Sequence, residues 1–355
     1  MKQNWLKEAM RKIESDFNRS ADTHLFKVPL PEIKNIDLYF KDEAAHPTGS
    51  LKHRLARSLF LYALCNGSIN ENTTIVEASS GSTAVSEAYF AKMLGLKFIA
   101  VMPENTSKEK IAKIEFYGGH CHLVKEATLV SLEANKLSKN KNYYFMNQFL
   151  YAERATDWRG NNNIAEAIFL QMNKERFPIP KWIVVGAGTG GTSATIGRYI
   201  RYKSLETKVC VVDPEHSVFY EYFNNKVSAD IEITKASCIE GIGRPRIEKS
   251  FIKNVIDHMI KIPDAASIAA MHFLASIMDY KRGPSTGTNF YGVMELIKEM
   301  QKKKETGSIV TLLCDSGERY TNTYYNNDWL QKNNFFIKDY YNNIYNFFKN
   351  IKHPK

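Results

Sequence analysis

Short apolar runs alternate with stretches of helical periodicity along most of the chain. Residues 36–40 (Ile36-Asp37-Leu38-Tyr39-Phe40) read as a strand. Residues 54–65, apolar at Leu55, Leu59 and Leu64, read as a helix ending near Gly67. Residues 74–78, 97–102 and 120–124 read as further strands, separated by helices over 82–94 and 107–117. A second series opens with a strand over 181–185, a glycine-rich turn and a helix to about 202, with later strands over 208–213 and 308–314. Strand-then-helix order, twice over, predicts parallel sheets. It gives an α/β fold of two packed, doubly wound domains with a cleft between them. The expected bounds are 36–160 for one domain, 1–35 with 161–330 for the other, and 331–355 for an aromatic and basic tail.

Composition narrows the class. The chain has 355 residues, 44% apolar and 24% charged, enough to bury two cores. The formal charge of +10 invites a nucleic-acid reading, but the lysines are scattered and no basic stripe carries interleaved aromatics, so no nucleic-acid partner is expected. The polar opening, Met1 to Glu8, reads as an amphipathic helix and not a secretory signal. No apolar run approaches the roughly 18 residues of a membrane span. The cysteines, at 65, 121, 210, 238 and 314, form no CxxC pair, which suits free thiols in a reducing compartment. A soluble, cytoplasmic protein is expected.

Three turns carry candidate chemistry. Gly186-Ala187-Gly188-Thr189-Gly190-Gly191-Thr192 joins a strand to a helix, so backbone N–H groups face a phosphate at the helix N-terminus. The same turn reads as GxGxxG, and Asp213 ends the next strand where a ribose-binding acid belongs, so a dinucleotide site stays open from this loop alone. Glu77-Ala78-Ser79-Ser80-Gly81-Ser82-Thr83-Ala84 suits a carboxylate, or simply an N-cap serine. Cys314-Asp315-Ser316-Gly317-Glu318-Arg319-Tyr320 stands at a strand end, a ligand position or an ordinary turn.

With the lysine stretch His46-Pro47-Thr48-Gly49-Ser50-Leu51-Lys52-His53-Arg54, these motifs resemble the fold-type II pyridoxal phosphate enzymes, in the branch of cysteine synthase and cystathionine β-synthase. The likeness runs from about Leu38 to Tyr320, in the family's order. Within the branch, the lysine stretch, the SSGSTA loop and Glu240-Gly241-Ile242-Gly243-Arg244-Pro245-Arg246 look most like bacterial L-cysteine desulfhydrases. The resemblance implies the tryptophan synthase β-like fold with its active site in the cleft, pyridoxal 5'-phosphate as cofactor, L-cysteine as substrate and a homodimer. It places Lys52 as the Schiff-base lysine and catalytic residue. Gly188, Thr189, Gly190, Gly191 and Thr192 match the phosphate loop, and Ser316 the hydroxyl facing the pyridine nitrogen. Ser79, Ser80, Ser82 and Thr83 match the substrate-carboxylate loop, Gln148 the glutamine assisting it, and Gly241 the glycine loop beside the cofactor. Ser82 stands where an Asn usually contacts both substrate and cofactor.

Several positions depart from the cysteine synthase pattern. His53 replaces a common Asp, Arg244-Pro245-Arg246 a small apolar stretch, and Thr156-Asp157-Trp158-Arg159 follows Gln148 unusually. These changes bear on acceptor chemistry more than on cofactor binding, so Arg159, Arg244 and Arg246 are candidates for setting the partition. The implied reaction is α,β-elimination of L-cysteine to hydrogen sulfide, pyruvate and ammonia through an aminoacrylate. The alternative is β-replacement, as in a cysteine synthase using O-acetylserine and sulfide or a cystathionine β-synthase. Gly119-His120-Cys121-His122 lacks further ligands and reads as strand-surface histidines, so no metal is expected. Cys314 reads as a packed thiol, and the tail from Asn333 could pack on a subunit interface, lie on a membrane surface or extend a surface helix, with packing the default.

Overall fold

The computed structural model describes residues 2–20, 22–278 and 280–349. In chain order the first elements are α1 (Lys2–Ser20), β1 (Leu25–Val28), β2 (Ile36–Asp42), α2 (Lys52–Cys65), β3 (Thr74–Ala78), α3 (Ser82–Leu94), β4 (Lys97–Pro103) and α4 (Lys108–Phe116). Next come β5 (His120–Val124), α5 (Val130–Leu137), β6 (Tyr143–Phe145), α6 (Gln148–Ala155), α7 (Ile164–Met172), β7 (Trp182–Gly186), α8 (Gly191–Tyr202), β8 (Lys208–Pro214) and α9 (Phe219–Phe223). The last are β9 (His258–Ile262), α10 (Asp264–Ile277), α11 (Pro284–Lys302), β10 (Gly307–Leu313), α12 (Asn327–Lys332) and α13 (Lys338–Phe347). The strands and helices expected from periodicity are present, with ends shifted by one or two residues. The fold is α/β, with two doubly wound sheets.

One unit comprises Met1–Asp22 and His46–Thr156, the other Thr23–Ala45 and Asp157–Lys355. The first holds an all-parallel sheet in the order β5-β4-β3-β6. The second holds a sheet in the order β1-β2-β10-β7-β8-β9, parallel except for β1 against β2. All five residues of β3 are buried, as in a strand covered on both faces, where an apolar run replaces alternation.

The bounds differ from those expected at both ends of the sequence. Helix α1 belongs with the first unit: Ala9 and Ile13 are buried among Ala56, Leu59 and Phe60, and the Arg57 guanidinium lies 4.0 Å over the Phe17 ring. Its apolar stripe suits either domain on sequence alone, and packing chooses. Strand β2, expected to lead its own domain into the lysine turn, instead pairs along its whole length with β10 in the second unit. Its buried charges are answered there. Lys41 donates to Thr23 O and to Gln171 Oε1, both at 2.7 Å, and Arg282 donates to Asp42 at 2.8 Å. The expected separate tail is part of the second unit through residue 349. Ile344 and Phe348 are buried, and the Phe348 ring stacks 4.9 Å from Phe290. Residues 350–355 lie outside the described residues.

Helices α10 and α11 pack backbone to backbone through Gly287, where a Cβ would stand 2.0 Å from Ser267 O. Alanine would gain about 1 kcal/mol of helix propensity, yet such overpacking costs about 1–3 kcal/mol. Gly287→Ala should therefore lower the melting temperature by several degrees, at about 2–4 °C per kcal/mol for units of this size. A thermal scan reading an unchanged or higher midpoint would contradict this packing.

Candidate active site

Lys52 is the first residue of α2 and is partly buried. Gly49 turns the chain at φ +73, a left-handed conformation that glycine adopts without strain, and its N–H bonds His46 O at 2.7 Å. The Lys52 N–H donates to Ser50 Oγ at 3.3 Å. The next residue tethers this turn. His53 is buried; its Nδ1 lies 3.2 Å from Thr48 Oγ1, which also meets Ser86 Oγ of α3 at 2.8 Å. Its Nε2 lies 3.8 Å from Asp16 of α1, and the Asp16 carboxylate accepts from Tyr89 OH at 2.6 Å. A sequence reading marks His53 only as an unusual neighbour of the lysine. Nothing in the sequence connects it to Asp16, because that contact needs α1 folded onto α2 and α3.

The serine loop follows β3 in the same unit. Gly81 is the N-cap of α3, and no side chain caps the helix, so the alternative of a capping serine is not what forms. The first-turn N–H groups of α3 are thus left without a side-chain cap. Ser79, Ser80 and Ser82 are partly buried and Thr83 is buried. Thr83 Oγ1 donates to Gln148 Oε1 at 2.7 Å, which joins the loop to the start of α6. The Gln148 N–H in turn donates to Glu77 Oε2 at 3.0 Å. Of the residues singled out in sequence, Ser79 to Thr83 and Gln148 are brought together here. Glu77 is the member that sequence reading left without a role.

The second unit holds the glycine turn between β7 and α8. Gly190 is the N-cap of α8, at φ +87, and as a glycine it offers no capping side chain. The glycines are required by close approach. A Cβ on Gly188 would stand 2.2 Å from Gly241 O, and one on Gly190 would stand 2.6 Å from Phe251 Cα. Thr189 Oγ1 accepts from the Gly191 N–H at 3.2 Å, and Thr192 is partly buried on the first turn. Gly241 and Gly243 are left-handed, at φ +91 and +73, and Gly243 N–H bonds Ala187 O at 2.8 Å, fixing the loop against the turn. Asp213 at the end of β8 is wholly buried, accepts the Tyr220 N–H at 2.8 Å, and is pushed up to about 7 by burial. An acid so enclosed presents no face to a ribose, so the dinucleotide reading of this turn fails.

Ser316 follows β10, is partly buried and is bridged to Arg282. The preceding Asp315 accepts from Tyr320 OH at 2.7 Å and from Arg319, which anchors the turn. Cys314 is buried with its sulfur 3.3 Å from Asn289 Nδ2, a packed thiol. Arg244 and Arg246 share the buried Glu248, at 2.7 and 3.4 Å. Arg159 is exposed, pairs with Asp157 at 3.4 Å and is not gathered with them. His122 lies 3.5 Å from Glu133, and among the described residues no cluster of three metal-ligating side chains forms. No helix of the described residues is long and apolar enough to cross a membrane.

The profile of the family described as pyridoxal-phosphate dependent enzyme matches residues 20–315. A protein named L-cysteine desulfhydrase Cds1, from Mycobacterium tuberculosis (strain ATCC 25177 / H37Ra), is 58% identical over 93% of this chain and 90% of its own length. Cysteine synthase B of Campylobacter jejuni subsp. jejuni is 31% identical over 81% of this chain and 91% of its own. The crystal structure of a hydrogen sulfide-producing enzyme (Fn1055) from Fusobacterium nucleatum superposes with TM-score 0.78 at 24% identity, covering 93% of this chain and 96% of that one, a likeness of fold. The residues fit the cofactor this family uses. The N-terminus of α8 has a glycine at its N-cap and stands behind glycines that cannot bear a Cβ, a cradle suited to a phosphate. With a family profile across most of the sequence and this identity over nearly its full length, the chain belongs to the fold-type II pyridoxal-phosphate dependent enzymes, in the cysteine synthase/cystathionine β-synthase family.

Proposed function

We propose that the protein releases hydrogen sulfide from L-cysteine by α,β-elimination. The observation that carries this reading is the 58% identity, over 93% of the chain, to a protein named as an L-cysteine desulfhydrase. When bound, pyridoxal phosphate supplies an electron sink for the bonds at Cα. Each residue then has one task. Gly188, Thr189, Gly190, Gly191 and Thr192 hold the phosphate with backbone N–H groups and hydroxyls. Gly188, having no side chain, leaves room for the Gly241 backbone to approach. Ser79, Ser80, Ser82 and Thr83 bind the substrate carboxylate, with Gln148 held beside them by Thr83.

Lys52 would hold the cofactor and, as a neutral amine, would take the Cα proton of the substrate. The Cβ–S bond then breaks, the sulfur leaves as sulfide, and the Lys52 ammonium is a proton source for it. Water converts the released 2-aminoacrylate to pyruvate and ammonia, so cysteine plus water balances as sulfide, pyruvate and ammonia. With the cofactor bound, Ser316 would offer a neutral hydroxyl and not a carboxylate, and so would not stabilise a pyridinium. A weaker sink favours prompt loss of the β-substituent over a long-lived carbanion. The reading includes a cytoplasmic homodimer. Five free cysteines, of which Cys210 and Cys314 are buried, suit a reducing compartment.

Purified protein given L-cysteine alone should yield sulfide and pyruvate in equal amounts, and Lys52→Ala should reduce that rate by about 10²–10⁴-fold. Net cysteine formation from O-acetylserine and sulfide, with little pyruvate, would instead make it a synthase.

Gly190→Ala places a Cβ 2.6 Å from Ser250 O at a left-handed residue. It should leave the purified protein with less cofactor after dialysis, read by visible absorbance. Full retention would remove the turn from the phosphate site.

A further inference from the structure

Glu77 is the penultimate residue of β3 and Glu87 lies on the second turn of α3; both side chains are wholly buried. Glu77 accepts two backbone N–H groups, Ala78 through Oε1 at 2.6 Å and Gln148 through Oε2 at 3.0 Å. Glu87 has no such support: neither of its oxygens meets a donor among the described residues. Its polar neighbour is the Glu77 carboxyl, close enough to hydrogen-bond. Two carboxylate oxygens hydrogen-bond only through a proton, and an isolated ionised carboxylate in an apolar interior costs far more than it gains. The pair therefore shares a proton. Glu77, stabilised by two N–H groups, is the acceptor, and Glu87, with none, is the donor.

We infer that Glu87 is a positioning residue, whose shared proton lets Glu77 stay a two-fold acceptor and so hold the serine loop and Gln148 in register. The inference rests on the reading of those segments as the substrate-carboxylate site. Were Glu87 absent, Glu77 would take the proton itself. One of its oxygens would become a hydroxyl, a poor acceptor, and the N–H of Ala78 or Gln148 would lose its partner. The first displaces the loop, and the second displaces the glutamine that Thr83 binds.

No countercharge relieves the pair. Among the described side chains, the charged groups on the packed helices are Lys7, Glu8, Arg11, Lys12, Glu14, Asp16 and Arg19 of α1, Lys52, His53, Arg54 and Arg57 of α2, Lys108, Glu109, Lys110, Lys113 and Glu115 of α4, Glu133 and Lys136 of α5, and Glu153 and Arg154 of α6, with Lys92 on α3 itself. Strand β4 adds Lys97. Among the described residues, burial is the largest influence on Glu77 and Glu87 and the charge acting on Glu87 is that of Glu77. Burial pushes Glu77 up to about 7 against its two N–H bonds, and pushes Glu87 well above the ordinary carboxyl range, with the Glu77 charge adding to it. Because both groups are raised in the folded state, their contribution to stability is complete below the ordinary carboxyl range. It is lost as pH rises from there through the folded values, for Glu77 about 7.

The test compares wild type, Glu87→Gln and Glu87→Leu as holoenzymes. One readout is kcat and KM for L-cysteine at about pH 7 and pH 9; the other is melting temperature between about pH 5 and pH 8. The amide of Gln donates as the acid does and does not titrate. Glu87→Gln should match wild type at neutral pH, and should lose less stability and less substrate affinity as pH rises. Glu87→Leu should raise KM by about 5–10-fold with kcat nearly unchanged, the loss of one hydrogen bond. Titration of the cysteine thiol is common to all three and cancels in ratios. A wild-type KM in Glu87→Leu, equal losses in the Gln and Leu variants, or the same pH slope of melting in Glu87→Gln and wild type would each overturn the inference. If Glu87→Leu does not fold, the two readouts on Glu87→Gln decide. If wild type fails to release sulfide from cysteine, the proposed function falls by itself, and the melting comparison still reads the shared proton.

Discussion

A parallel sheet places every strand-to-helix turn on one edge, because each strand leaves the sheet at the same end and each following helix starts there. That constraint governs this protein. In the first unit, β3 delivers the 79–83 loop and β6 delivers Gln148, and the two strands are hydrogen-bonded neighbours. In the second unit, β7 delivers the 186–192 turn, β8 delivers Asp213 and the segment after it, and β10 delivers Ser316. Helix N-termini accumulate on the same edge, and with them backbone N–H groups that no helix can satisfy. Residues 79–83, 148 and 186–192 owe their place at helix starts to this geometry before any side chain is chosen.

Side chains then decide which donors stay open. At α3 and α8 a glycine occupies the N-cap, so the N-cap residue itself brings no capping side chain. At α7, by contrast, Asn163 caps through two N–H groups, as a helix start with no further duty does. The glycines of the 186–192 turn answer to a second demand. The backbone of residues 241–251 lies so close that a single methyl at Gly188 or Gly190 would collide with main-chain atoms. That loop is held in turn by Gly243 against Ala187 and by Ser217, which accepts the Arg244 N–H at 3.0 Å. The turn and the loop are therefore one packed object.

Burial sets the electrostatics. Fully enclosed carboxyls at Glu77, Glu87 and Asp213 are all raised, because none has a cation bonded to it. Elsewhere the chain encloses charge with a partner, as Arg282 with Asp42 and Arg244 with Glu248. The contrast is informative. Paired charges serve to join segments, whereas Glu77 and Asp213 stand near strand ends, where their oxygens accept backbone N–H groups.

The sequence by itself determined the α/β class, most of the strands and helices, and the segments carrying the candidate site, because these are local. Apolar runs, helical periodicity, a glycine turn and a lysine behind Pro-Thr-Gly-Ser are each written within a few residues. The tertiary structure alone decided what joins across distance. It assigned α1 to the first unit through Ile13 and Phe17, and β2 to the second through pairing with β10. It also packed the last helix under Phe290 and enclosed Asp213. The ties from Thr83 and Glu77 to Gln148, and from His53 to Asp16, link residues between 37 and 71 positions apart. No periodicity encodes such pairs. They exist only where burial removes water and leaves each polar group to find its partner in the protein.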